Sequence, residues 1–158
     1  MNEYRITPVA FVRNSRTEAT DDNWGETISE ITLADGMPSD AIAGIGEFSH
    51  LEILFYFHKA DPARILTGKA HPRNNRDWPQ VGIFCQRRKA RPNLLGLTVV
   101  ELVEVQARSI FVRMLDAVDG TPVIDIKPFI RNFIPTGEIK QPSWVDELMK
   151  NYWKKSGP

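Results

Sequence analysis

Residues 48–58, FSHLEILFYFH, restrict the fold of this chain more than any other stretch. Aromatic and β-branched side chains crowd a segment too short for a buried helix, and it predicts a buried strand at the centre of the core. The same pattern recurs on both sides. Residues 4–12, 28–33, 82–86, 97–105, 109–115 and 123–126 are short runs of β-formers. Turn-formers separate them, such as DGMPS at 35–39, Arg91-Pro92-Asn93 and Asp119-Gly120-Thr121-Pro122. Many short strands and no long helix predict a mainly β chain, a barrel or a sandwich. At 158 residues it fits one domain, expected over 1–158 as a single β-barrel-like unit.

The period changes only at the end. Trp144, Val145, Leu148, Met149, Tyr152 and Trp153 fall on one face of a 3.6-residue repeat, which predicts an amphipathic helix over 143–154. Ser143 with Asp146, just after Pro142, reads as its capping pair, and the apolar stripe is expected to pack on the chain's own sheet. The polar stretch 14–25 reads as a long loop with no structural need for Trp24.

Composition adds exclusions. Hydrophobic residues at 42% and charged residues at 25% leave no case for a disordered or fibrous chain. No apolar run approaches the ~20 residues of a membrane-spanning helix, and no export signal is visible. The one cysteine, Cys85, has no partner for a disulfide, so a cytoplasmic location is expected. Net charge is zero, yet residues 1–52 hold ten acids against three bases, whereas 69–91 hold seven bases against Asp77. Such a basic run is either a solvated face or subunit contact, or an anion site.

The general chemical patterns fail. There is no P-loop, and Gly44-Ile45-Gly46 lacks the third glycine and preceding strand of a dinucleotide site. His50, His58 and His71 have no metal-ligand spacing and no cysteine or acidic cluster beside them, so no metal is expected. His50 and His58 would share one face of a continuous strand, and His58 stands at its end.

Two constellations remain. Arg87, Arg88, Lys89 and Arg91 lie between two β-segments, where a guanidinium fork at a strand end can hold carboxylate or phosphate. In DGTPVIDIKP, residues 119–128, strand alternation places Val123, Asp125 and Lys127 on one face and Ile124 and Ile126 on the other. Asp125 with Lys127 is then either a surface ion pair or an orienting pair inside a cleft.

Taken together, PVAFVRN, FSHLEILFYFH, HPR, GIF with the later RPN and GLTVVEL, and DGTPVIDIKP resemble the TrmO/TsaA-like family, also labelled YaeB, over residues 6 to about 133. The resemblance implies a β-barrel methyltransferase that uses S-adenosyl-L-methionine without a Rossmann domain. It also implies a homodimer with the cofactor near the subunit contact, and methylation of N6 of threonylcarbamoyl-adenosine at tRNA position 37. Carried over by motif, cofactor contacts fall on Asp22, Asn23, Trp24, His58, Lys59, Arg87, Leu97, Arg113, Met114, Leu115 and Asp116. Arg87 and Lys59 would hold the methionine carboxylate, Trp24 or Leu97 would cover the adenine, and Asp116 would accept from ribose or amino group. Arg73, Arg76, Arg88 and Arg91 would meet RNA phosphates, and Asp125 and Lys127 would shape the substrate pocket. No catalytic side chain is assigned, since methyl transfer from a sulfonium needs placement and water exclusion more than a nucleophile. The rival readings are a methyltransferase for a small molecule and a cofactor-binding module without catalysis. The longer bacterial members continue well past DGTPV; here about thirty residues follow it, Arg88-Lys89-Ala90 alters the stretch before RPN, and Leu94-Leu95 replaces a proline-containing pair.

Overall fold

The computed structural model describes residues 2–155. Its central strand, β3 (His50–Tyr56), comes from the aromatic segment and buries Leu51, Ile53 and Phe55 while Glu52 and Leu54 face outward. Five further strands close around it: β1 (Ala10–Arg13), β2 (Ile28–Leu33), β6 (Leu95–Gln106), β7 (Ser109–Arg113) and β8 (Pro122–Pro128). The order around the closed barrel is β1-β2-β7-β6-β3-β8, every pair antiparallel, with β8 returning to β1. Closure leaves no free sheet edge in this barrel. Inward positions carry Val12, Ile31, Leu51, Phe55, Val100, Ile110 and Val123, all essentially without exposure. Each such side chain is worth roughly 1.5–3 kcal/mol for leaving water.

Several strand expectations change. Of residues 4–12 only the end is strand, because Ala10 is the first residue that β2 and β8 both pair. Residues 82–86 are not one strand. Val81–Gly82 (β5) pairs with Lys69–Ala70 (β4) in a separate ribbon, and Ile83–Cys85 turns into one 3-10 turn. Because β3 ends at Tyr56, strand alternation does not carry from His50 to His58.

The alternation expected in DGTPVIDIKP also fails, for a local reason. Leu54 pairs with Asp125 but Phe55 with Val123, so Ile124 is an extra residue and the strand bulges there. Val123 and Ile126 therefore both turn toward the core, while Asp125 and Lys127 form a 2.6 Å ion pair away from it.

The tail is shorter and differently placed than its periodicity predicts. Its helix, α1, spans Ser143–Met149, and turns continue to Trp153. Ser143 makes no cap; Pro142 occupies the cap position and the Asp146 carboxylate accepts from Gln141 Nε2 at 2.5 Å. The stripe packs on loops rather than the sheet. Trp144 lies 6.3 Å from Trp78, whose Nε1 donates to Glu147 at 2.7 Å. The backbone N–H groups of Asn23 and Trp24 donate to Asn151 O and Tyr152 O at 3.1 and 2.8 Å. A Cβ on Gly25 would stand 2.0 Å from Trp153 O, so this approach needs glycine.

Candidate functional site at one mouth of the barrel

One mouth gathers the ends of β1, β3 and β7 and the starts of β2, β6 and β8. Asn14, just past β1, ties it together: its Nδ2 donates to Ser29 Oγ at 2.8 Å and Ala117 O at 2.9 Å, and its N–H donates to Asp119 Oδ1 at 3.1 Å. A hollow of about 300 Å³ opens here, walled by Phe55, Phe57, Leu95 and Leu97 and by Gln86, Arg87, Arg91, Thr98 and Asp116. That volume is at the lower end for small-molecule sites. Gly96 makes the wall possible, since a Cβ there would lie 2.5 Å from the Phe55 ring and 2.9 Å from Phe57.

The polar groups of this hollow are unevenly satisfied. Asp116 accepts from Thr98 Oγ1 on one carboxylate oxygen and from Tyr152 OH on the other. Arg87 donates to Leu97 O, and Arg91 Nη1 donates to Gln86 O at 2.7 Å. Gln86, only 6% exposed, spends both amide N–H groups on Ala70 O and Val81 O, each at 3.0 Å. Those two donations fix its orientation, and Oε1 is left buried with no partner among the described residues. A buried acceptor without a donor costs roughly 1–3 kcal/mol.

The residues that the resemblance names are only partly brought together. Arg87, Leu97 and Asp116 line the hollow. Lys59 does not: its Nζ donates to Thr17 O at 2.6 Å and so anchors the N-terminal loop. His58 is half-buried beside Gly120, and burial first, then neighbouring Lys59, hold its pKa below the usual 6.5 against the pull of Asp119. Trp24 is 3% exposed under the tail, with Arg16 3.9 Å above its ring and its Nε1 donating to Thr20 O at 3.2 Å. The loop therefore does need Trp24 for structure, and no face is open to cover an adenine. Asp22 pairs with Arg73 at 2.8 Å, and Asn23 O accepts from Arg16 at 2.8 Å. Leu115 is fully buried, Arg113 pairs with Glu101 across β6 and β7 at 2.8 Å, and Met114 takes a left-handed φ of 68° at the turn away from β7.

The arginines expected at phosphates divide likewise. Arg76 is exposed, whereas Arg73 is held by Asp22, Arg91 by Gln86 O, and Arg88 is half-buried with Nη1 unpartnered among the described residues. Asp125 stands at the opposite mouth, on a larger hollow of about 560 Å³ lined by Val9, Met37, Ile42, Phe48 and Ile126. Its oxygens are taken by Lys127 and by its neighbour's N–H at 2.9 Å. No group of three or more His, Cys, Asp or Glu suited to a metal occurs among the described residues.

Sequence reasoning missed Gln86, Thr98, Phe57 and Tyr152. Gln86, Thr98 and Phe57 lie inside segments already singled out, but nothing in a single sequence separates an orphaned amide from a solvated one.

The closed antiparallel barrel and its polar, aromatic-walled hollow define a small β-barrel with a candidate site at one mouth. Residues 16–133 match the family described as the tRNA-methyltransferase O N-terminal domain, and the chain belongs to that family. Among its relatives is the human tRNA (adenine(37)-N6)-methyltransferase, 35% identical over 114 residues, covering 72% of this chain and 25% of that protein. Another is the "Probable S-adenosyl-L-methionine-binding protein" of Methanothermobacter thermautotrophicus, 38% identical over 138 residues, covering 85% and 96%. The fold superposes on the crystal structure of TrmO from P. aeruginosa with a TM-score of 0.73 at 23% identity, over 91% of this chain and 62% of that one. The chain spans about a quarter of the length of the mammalian methyltransferases it matches.

Proposed function

We propose that this protein is an S-adenosyl-L-methionine-dependent methyltransferase acting on N6 of threonylcarbamoyl-adenosine at position 37 of tRNA. The observation that carries the reading is the hollow, where cations, a carboxylate and an orphaned acceptor meet aromatic walls. That donor and acceptor set fits an amino-acid nucleoside. Arg87 and Arg91 supply charge for a carboxylate, Asp116 and Gln86 Oε1 accept from hydroxyl or amino groups, and Phe57 and Leu97 exclude water from apolar parts. When bound, the cofactor supplies a sulfonium methyl as the electrophile. The protein's part is to hold that methyl in line with the acceptor nitrogen in a dry site. Relatives named as tRNA methyltransferases support the acceptor assignment.

The proposal includes a homodimer and a cytoplasmic location. The outer face of β6 supports the first, with Leu97, Val99, Val103 and Val105 each more than a third exposed and Phe84 79% exposed close by. An apolar strip of that kind is normally covered by a partner, and Leu97 belongs to both strip and hollow. The tRNA substrate supports the second. Exposed Lys69, Arg76 and Lys89 form no ion pair among the described residues and are the cations of the basic segment proposed for phosphate contact.

Transfer of a tritiated methyl group to tRNA tests the reading. Incorporation into threonylcarbamoyl-modified tRNA and none into unmodified tRNA is expected. Bound cofactor with no transfer to either would favour the module without catalysis, a reading favoured by the archaeal relative of similar length named only for binding.

A further inference from the structure

The C-terminal tail lies outside the stretch that matches the family, and its stripe is absorbed by neither the barrel core nor the site as described. Its contacts converge on one atom pair. Tyr152 OH donates to Asp116, the carboxylate at the mouth of the hollow. We infer that Tyr152 is a positioning residue for ligand binding: its hydroxyl, with that of Thr98, fixes the Asp116 carboxylate so that its remaining lone pairs face the ligand. The inference rests on reading the hollow as the cofactor site.

The geometry supports this in three steps. A carboxylate offers about four acceptor positions. Thr98, itself 6% exposed on β6, takes one on the first oxygen and Tyr152 takes one on the second, which stops rotation of the group and leaves acceptor capacity on both. The tyrosine is itself held. Trp24 N–H donates to its carbonyl at 2.8 Å, Trp153 packs edge-on at 4.8 Å, and Arg73, anchored by Asp22, sits 5.9 Å over its ring. Finally the phenol stays protonated at any physiological pH, because burial first and the Asp116 charge second push its pKa far above the ordinary tyrosine value, against Arg87 and Arg73. A permanent donor thus faces the Asp116 carboxylate. The tail thus reaches the ligand through Asp116, and the N-terminal loop at 22–24 acts as its strut.

Calorimetric titration with S-adenosyl-L-methionine of the wild type, Tyr152→Phe, Asp116→Asn and the double variant tests the inference. Tyr152→Phe keeps the ring and is expected to weaken affinity about five- to tenfold. The double variant is expected to bind no worse than Asp116→Asn alone, since the hydroxyl acts only through that carboxylate. Hydrogen exchange at the Asn23 and Trp24 amides is expected to stay slow in Tyr152→Phe, because the ring and backbone still dock. Wild-type affinity in Tyr152→Phe overturns the inference, as do losses that multiply in the double variant. Fast exchange at those two amides overturns it too, by assigning the lost affinity to undocking. In each of these cases wild-type binding leaves the reading of the site intact. A wild-type protein that binds no cofactor overturns that reading and the inference with it.

Discussion

The two mouths of this barrel are built by the same six strands and differ in how their polar groups are settled. At the mouth near β3's end, Gln86 has its Oε1 buried without a partner among the described residues, and Asp116 keeps acceptor capacity. At the other, the hollow is larger, yet its walls are mainly apolar and Asp125 is closed off by Lys127 and a backbone N–H. Size alone would choose the other end. Unsatisfied buried groups carry a cost that folding does not recover by itself, which is why the proposed site is the smaller hollow.

The comparison breaks most easily at Gly96. Gly96→Ala places a methyl 2.5 Å from the ring of fully buried Phe55, and overpacking of this kind costs about 1–3 kcal/mol. A urea midpoint lowered accordingly, together with lost cofactor affinity, is expected; an unchanged midpoint would mean that the rings move freely and the wall is not fixed. Next in size is Arg87→Ala, which removes a charged donor from the hollow and is expected to weaken cofactor binding by about 1–3 kcal/mol in calorimetry. Because Arg87 is exposed and, among the described residues, donates only to Leu97 O, the thermal midpoint should hardly move. An equal loss from Asp125→Asn would erase the distinction between the mouths.

The strands were legible because period-two burial writes itself into the order of apolar residues, as in β2 and β3. Where the structure departs, a pairing partner decided. The extra residue at Ile124 shows only in the shifted register against Leu54 and Phe55, and no alternation rule sees it. The resemblance named Arg87, Leu97 and Asp116 together, and the fold brings these three to one hollow. The structural contacts of Trp24 and Lys59 were not legible because they are made far along the chain, with the tail at Tyr152 and with Thr17. Tyr152 was visible only as one apolar position of a helical stripe, since sequence places a residue on a face without naming what that face meets.

At the apolar mouth, Asp125→Asn is expected to leave cofactor affinity unchanged. It should move the thermal midpoint by no more than about 2 °C, since an exposed ion pair contributes little.

The smallest expected effect sharpens the comparison through pH. His58 sits at the polar mouth with a pKa below the usual 6.5, so between the two values the unfolded chain binds more protons than the folded one. Stability then rises with pH through that window and is complete above about 6.5; it is lost as the pH falls toward the folded value. His58→Gln removes this contribution. Urea midpoints taken at pH 5.5 and 7.5 should therefore differ less in the variant than in the wild type. An unchanged difference would place the acid sensitivity in other groups.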